Sequence, residues 1–239
     1  MLSKARMRER VKAFDWRAVA AAAAEAPELL ALRDERGRNW LHLCCASRPK
    51  ADDEVEASIR TAEALIAAGL GVDEPAFTEG AWQATPLWHA IARGRNLALA
   101  RRLLELGCSP EHCLWAAQFN RDGEAIRLLV AAGARVDPVQ EGETPFLMAV
   151  KWSHFDEAAL LASLGADVNT RDAEGRTALH LMLRKSSAPG HLRLVAGLGA
   201  RGDIADRDGQ TAIGILRRKR DPALRELADT LEACAGPAT

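Results

Sequence analysis

The residues of this 239-residue chain best suited to chemistry are two groups of histidine and cysteine. His42, Cys44 and Cys45 form one group, and Cys108, His112 and Cys113 form the other. Imidazole and thiolate together hold zinc or act as base and nucleophile. Neither group has the CxxC or HxxxH spacing that brings a full ligand set to one ion. A thiol among apolar neighbours packs as a small hydrophobe, and that role is expected for Cys44. The acidic run at Asp52, Asp53 and Glu54 lacks the alternating ligands and central glycine of a calcium loop. The glycine-bearing stretches GLGVDEPAF from Gly69 and GARGDIADRDGQ from Gly199 each follow a helical pattern, whereas a phosphate loop follows a strand and opens a helix. The basic run Arg217 to Arg220 offers a nuclear signal or nucleic-acid patch, but a solvated helix end is the expected reading. No catalytic residue, metal ligand or cofactor is expected, and so no enzyme.

Composition narrows the rest. Lys and Arg total 32 against 33 Asp and Glu, a net charge of −1, which argues against nucleic-acid binding by bulk electrostatics. Five cysteines, an odd number without framework spacing, argue against a disulfide-built secreted domain. There is no apolar run of about 18 residues to cross a membrane. Basic residues from Lys4 to Lys12 followed by Ala18 to Ala24 faintly suggest a signal peptide, but Glu25 and weakly hydrophobic alanine favour a short helix. A cytoplasmic location and a monomer are expected.

The elements that would position any site repeat along the chain. GRNWLHLC from Gly37, GETPFLMA from Gly142, GRTALHLM from Gly175 and GQTAIGIL from Gly209 share one pattern, and TPLWHA from Thr85 keeps its core. Thr144, Thr177 and Thr211 stand 33 and 34 residues apart. Between copies lie leucine-rich stretches ending at Gly69, Gly107, Gly133, Gly165 and Gly199, where a left-handed residue would stop a helix. A period near 33 with a TPLH-like signature resembles ankyrin repeats, over nearly the whole chain. The composition is of a bacterial type, and the chain is similar to a stand-alone ankyrin-repeat domain.

That resemblance implies an all-α solenoid of helix-turn-helix units joined by finger loops, about six repeats behind an N-terminal half-repeat. A single domain over 1–236 is expected, with the half-repeat at 4–36 and repeats starting near 37, 83, 109, 142, 175 and 209. Residues 237–239 would be a frayed tail. Two insertions stand out, at Arg48 to Ala57 and at Glu74 to Ala84, and the finger between repeats two and three is nearly absent.

The resemblance also implies a non-enzymatic module, an adaptor or regulator, that binds a protein on the concave face of fingers and first helices. An effector or immunity-type protein inhibiting a toxin, enzyme or host protein is the alternative. Mapping that face gives Arg93, Gln118, Phe119, Lys151, Trp152, Arg184 and Lys185 from the first helices, and Trp82, Arg171, Arg176 and Arg207 from the fingers. The pattern is a basic, aromatic groove over repeats three to six, suited to an acidic and partly apolar protein segment. Neither nucleic acid nor a membrane is expected as a partner. His42 and His180 stand at the motif histidine, which the family uses to hydrogen-bond the neighbouring loop.

Overall fold

Each copy of the motif starts a short helix because a side-chain oxygen meets the first free amides. In the computed structural model, which describes residues 3–79 and 82–235, Thr144 Oγ1 accepts from Leu147 N–H at 3.3 Å and Thr211 Oγ1 from Gly214 N–H at 3.0 Å. Asn39 Oδ1 does the same for His42 N–H at 3.1 Å. Each such cap contributes about 1 kcal/mol. Pro86 and Pro145 sit at the first helical position, where a missing N–H costs nothing. The five glycines expected to stop the second helices all adopt positive φ, from 93° to 105°.

The chain divides into two units, Met1–Ala134 and Arg135–Thr239. The first holds α1 (Lys4–Lys12), α2 (Trp16–Glu25), α3 (Trp40–Ala46), α4 (Asp52–Ala67), α5 (Pro86–His89), α6 (Leu97–Glu105), α7 (Leu114–Phe119) and α8 (Gly123–Ala131). A π-helical turn, Ala90–Gly94, prolongs α5. The first helices α1, α3 and α5 pack in one row, and α2, α4, α6 and α8 pack in a second. Residues 4–36, expected as a half-repeat, hold both helices of a pair. The second unit holds α9 (Pro145–Lys151), α10 (Phe155–Ser163), α11 (Ala178–Arg184), α12 (Pro189–Gly197), α13 (Ala212–Arg217) and α14 (Pro222–Ala235). Within it α9 packs on α11 and α11 on α13, while α12 packs on α14.

Each unit closes around its own apolar seam. Leu65, Leu99, Leu103, Ile126 and Leu129 are fully buried in the first, and Phe146, Leu147, Leu161, Leu179, Val195 and Leu216 in the second. Burial of one such side chain contributes about 1.5–3 kcal/mol. A polar clamp recurs beside the seam. The Asp73 carboxylate accepts from Ser109 N–H at 2.9 Å, Asp137 from Asp167 N–H at 2.9 Å, and Asn169 Oδ1 from Arg201 N–H at 2.7 Å. At these three places one acidic or amide side chain holds the start of the next loop.

The two insertions become regular structure. Arg48 to Ala57 lengthens α4, which runs 16 residues against nine for α6 and α8, and its first turn carries Asp52, Asp53 and Glu54 where the helix dipole favours them. The long finger forms a small antiparallel hairpin, β1 (Thr78–Glu79) with β2 (Trp82–Gln83), in register Thr78 to Gln83 and Glu79 to Trp82. The tail at 237–239 lies outside the described residues.

Candidate functional site

The fingers are built by a short-range device that places their tips. Asp172 Oδ1 accepts from Glu174 N–H at 3.0 Å and Arg176 N–H at 2.8 Å, and Gly175 turns the chain at φ 77°. Asp34 does this for Arg36 and Arg38, both at 2.9 Å, and Asp206 for Asp208 and Gln210. In two of them the arginine after the glycine also folds back on the aspartate, Arg38 to Asp34 at 2.8 Å and Arg176 to Asp172 at 2.7 Å. The hydrogen bonds from Arg38 and the Arg36 backbone hold the Asp34 carboxyl below its ordinary range, against the cost of its burial.

Behind the fingers the motif histidine ties one repeat to the next. His180 Nδ1 accepts from Thr177 N–H at 3.2 Å, so the proton sits on Nε2, which reaches Gln210 O at 2.9 Å. His42 is wired alike: Nδ1 takes Asn39 N–H and Nε2 meets Glu74 O at 2.7 Å. Burial drives the His42 pKa down to about 4, so its imidazole is neutral. The cysteines near it are packed thiols. Cys44 and Cys45 are fully buried, and burial alone raises Cys44 to about 12. Burial raises Cys108 and takes Cys113 to about 12. Such thiols are inert as nucleophiles.

Fingers and first helices enclose clefts in each unit. In the second, Glu174, Arg176, His180, Arg184, Asp206, Arg207, Asp208, Gln210 and Ile215 line a cleft of about 500 Å³. It gathers three of the expected residues, Arg176, Arg184 and Arg207, opposite three carboxylates. Arg176 is committed to Asp172 and Glu174, the latter at 2.6 Å. Lys151 and Lys185 lie at neighbouring helix ends: Lys151 pairs with Glu143 at 2.6 Å, and Lys185 donates to the Lys151 carbonyl. Trp152 follows them, 41% exposed and edge-on to His154 at 5.8 Å. Arg171 is exposed and does not line the cleft.

In the first unit Arg93 lines a cleft of about 400 Å³ with Glu35, Arg36, Arg38, Ala76, Phe77, Ala84, Trp88 and His89. A second cleft of about 130 Å³ is lined by Lys4, Arg8, Lys12, Leu32, Arg33, Asp34, Arg38, Asn39, Trp40 and Leu43. Phe119 ends α7 and is 63% exposed. Gln118, expected beside it at the surface, is instead completely buried. It falls four residues after buried Leu114 and beside buried Ala117, on the apolar stripe of α7. The Trp82 side chain lies outside the described residues.

A family model for ankyrin repeats, in three copies, matches residues 113–208. Those residues carry ankyrin repeats. Mouse ankyrin repeat and SOCS box protein 11 is 30% identical over 114 residues, 44% of this chain and 34% of that protein. The chain covers about a third or less of the length of the curated relatives it matches. The crystal structure of the human ASB11 ankyrin repeat domain superposes at TM-score 0.69 and 22% identity, covering 98% of this chain and 99% of that one. The ankyrin repeat domain of Bcl-3, a member of the IkappaB family, gives 0.71 at 20% identity, covering 93% and 97%. Ankyrin repeats are protein-interaction modules and are in general non-catalytic. Among the described residues no helix is long and apolar enough to cross a membrane.

Sequence reasoning misses the α1 face of this ankyrin array. Lys4, Arg8 and Lys12 recur at four-residue spacing, a signal visible in the sequence. The segment lacks the TPLH-like motif, and its charges read alone suggest only a signal peptide or a short helix.

Proposed function

We propose that this chain is a non-enzymatic ankyrin-repeat adaptor or regulator that holds a protein partner on the face made by its fingers and first helices. One observation carries the reading: in each unit, finger residues and first-helix residues together line open clefts, with Arg93 in one and Arg184 and Arg207 in another. Arginine and aromatic side chains at such positions supply interface hot spots. Phe119 and Trp152, both exposed, add apolar area in their own units. The partner segment that suits these groups is acidic and partly apolar.

The array is taken as one domain over 1–236, because the family match at 113–208 runs through the boundary at residue 134. Affinity capture with the purified chain tests the reading, using the wild type beside Trp152→Ala with Lys185→Glu. A partner retained by the wild type and lost by the variant supports this face. A partner held equally by both removes Trp152 and Lys185 from the site.

A further inference from the structure

The strongest unassigned feature is the cationic cleft against α1. Lys4, Arg8 and Lys12 are all exposed and line its one wall, and Arg33 and Arg38 line the other. Lys4 Nζ reaches across to Arg33 O at 3.4 Å, which places both walls on one space. The far wall is already neutralised, Arg33 by Glu74 at 2.6 Å and Arg38 by Asp34 at 2.8 Å. Among the described residues Lys4, Arg8 and Lys12 form no ion pair. Three unneutralised cations therefore stand in a row on one helix face, each about 6 Å along the axis from the next.

That spacing selects the ligand. An extended chain rises about 3.3 Å per residue and turns alternate side chains to one side, so every second residue returns after about 6.6 Å. Resting on the reading of this chain as a protein-binding module, we propose that the α1 face docks an extended peptide segment whose acidic residues stand at alternate positions, one each for Lys4, Arg8 and Lys12. The charge is complementary and the two periods stay in step over three contacts. Single-stranded nucleic acid has phosphates to offer but needs a stacking surface. The aromatic residue of this cleft, Trp40, is buried and spends its indole N–H on Leu29 O at 2.7 Å.

Fluorescence anisotropy on the purified full chain at low salt tests this. The probes are a labelled peptide with a Glu-Val-Glu-Val-Glu core in a Gly-Ser flank, its isomer with Glu-Glu-Glu-Val-Val, and a short oligothymidine. The alternating peptide should bind several-fold tighter than its isomer. It should lose about tenfold with Lys4→Glu, Arg8→Glu and Lys12→Glu together, a modest sum of three exposed pairs. Arg101→Glu with Arg127→Glu, exposed on the second helices α6 and α8 and outside both proposed faces, should change nothing. If the triple variant loses helical circular dichroism, Lys4→Gln with Lys12→Gln carries the test, with a smaller loss expected. Equal binding of both peptides, binding unaffected by the α1 substitutions, or an oligothymidine that binds as tightly would overturn the site. These results bear on α1 alone, since capture of a partner by the intact chain is scored separately.

Discussion

Two repeats, one from each unit, differ at the motif histidine. In the second, His180 is buried and satisfied at both ends, with its Nε2 on the next finger at Gln210 O. In the first, the repeat that starts at Thr85 has Trp88 at that position and His89 one residue later. His89 is 6% exposed, and neither of its ring nitrogens has a hydrogen-bond partner. The cause lies in the following connection. His42 and His180 find a finger carbonyl 32 and 30 residues further on. After Trp88 the helices α6 and α7 are joined by residues 106–113 alone, with no finger to supply one. Deleting a finger thus removes an acceptor as well as a surface, and leaves an unpaired imidazole against the cleft with Arg36 and Arg93.

The largest contrast between the units should come from their finger glycines. A Cβ at Gly37 would stand 2.3 Å from Ala76 O, while one at Gly175 would stand 3.1 Å from Arg207 N. Both glycines have positive φ, 72° and 77°. Gly37→Ala should therefore cost about 3 kcal/mol, from overpacking on backbone added to conformational strain, and Gly175→Ala about 1 kcal/mol. Urea unfolding measures both, and equal losses would mean that the first finger is not seated on Ala76.

The histidines provide the next contrast. His180→Leu should destabilise by about 2 kcal/mol, because it strands the buried Thr177 amide and the Gln210 carbonyl. His89→Leu removes a desolvated polar group and restores the leucine that follows the motif histidine in two other copies, Leu43 and Leu181. It should leave stability unchanged or raise it by about 1 kcal/mol. A large loss in His89→Leu would show that its imidazole has a partner in solution.

Acid should sharpen the same difference. Burial, reinforced by the nearby His42, Arg38 and Arg93, drives the His89 pKa down to about 3 from 6.5, and burial takes His42 to about 4. The unfolded chain binds protons below pH 6.5 that the native imidazoles refuse. Their contribution to stability is therefore whole above about pH 6.5 and is lost as the pH falls toward 4 and then 3. Melting temperature should fall across that window, and His89→Leu should flatten the slope. An unchanged slope would contradict a neutral, buried His89.

Much of this is legible in the residues, and what is not has identifiable causes. The threonine and asparagine caps, the five stop glycines and the motif histidines act over three to five residues or through one fixed hydrogen bond, so their spacing announces them. The helix pair at 4–36 is only half visible because α1 has neither a TPLH-like motif nor a leucine pair, only a Ser3 cap, charges and two buried anchors, Met7 and Val11. The turns between paired helices leave no signal either. They use left-handed backbone at Arg95, Arg121, Ser153 and Ser186, residues that do not advertise that conformation. Gln118 misleads because its polarity suggests exposure, whereas its place on the α7 stripe decides the matter. The basic groove follows from the sign of selected side chains alone. In the second unit the arginines share their cleft with Glu174, Asp206 and Asp208.

Charge reversal at Arg184 and Lys185 should have the smallest effect on folding and be the most telling for function. Arg184 and Lys185 are exposed at the end of α11, and Lys185 donates to the last carbonyl of α9. A lysine there complements the negative end of a helix dipole by less than about 1 kcal/mol at an exposed site. Arg184→Glu with Lys185→Glu should therefore shift the urea midpoint by the equivalent of about 0.5–1 kcal/mol. The same change replaces a cleft cation, Arg184, by a fourth carboxylate against the two remaining arginines, Arg176 and Arg207, and adds another anion at the next residue, so the cleft turns from balanced to net negative. An acidic partner seated there should be lost, with the rate of association falling most and the loss easing as salt is raised. Retention of the partner by this variant, together with its loss on reversal of Lys4, Arg8 and Lys12, would assign recognition of the acidic segment to the first unit.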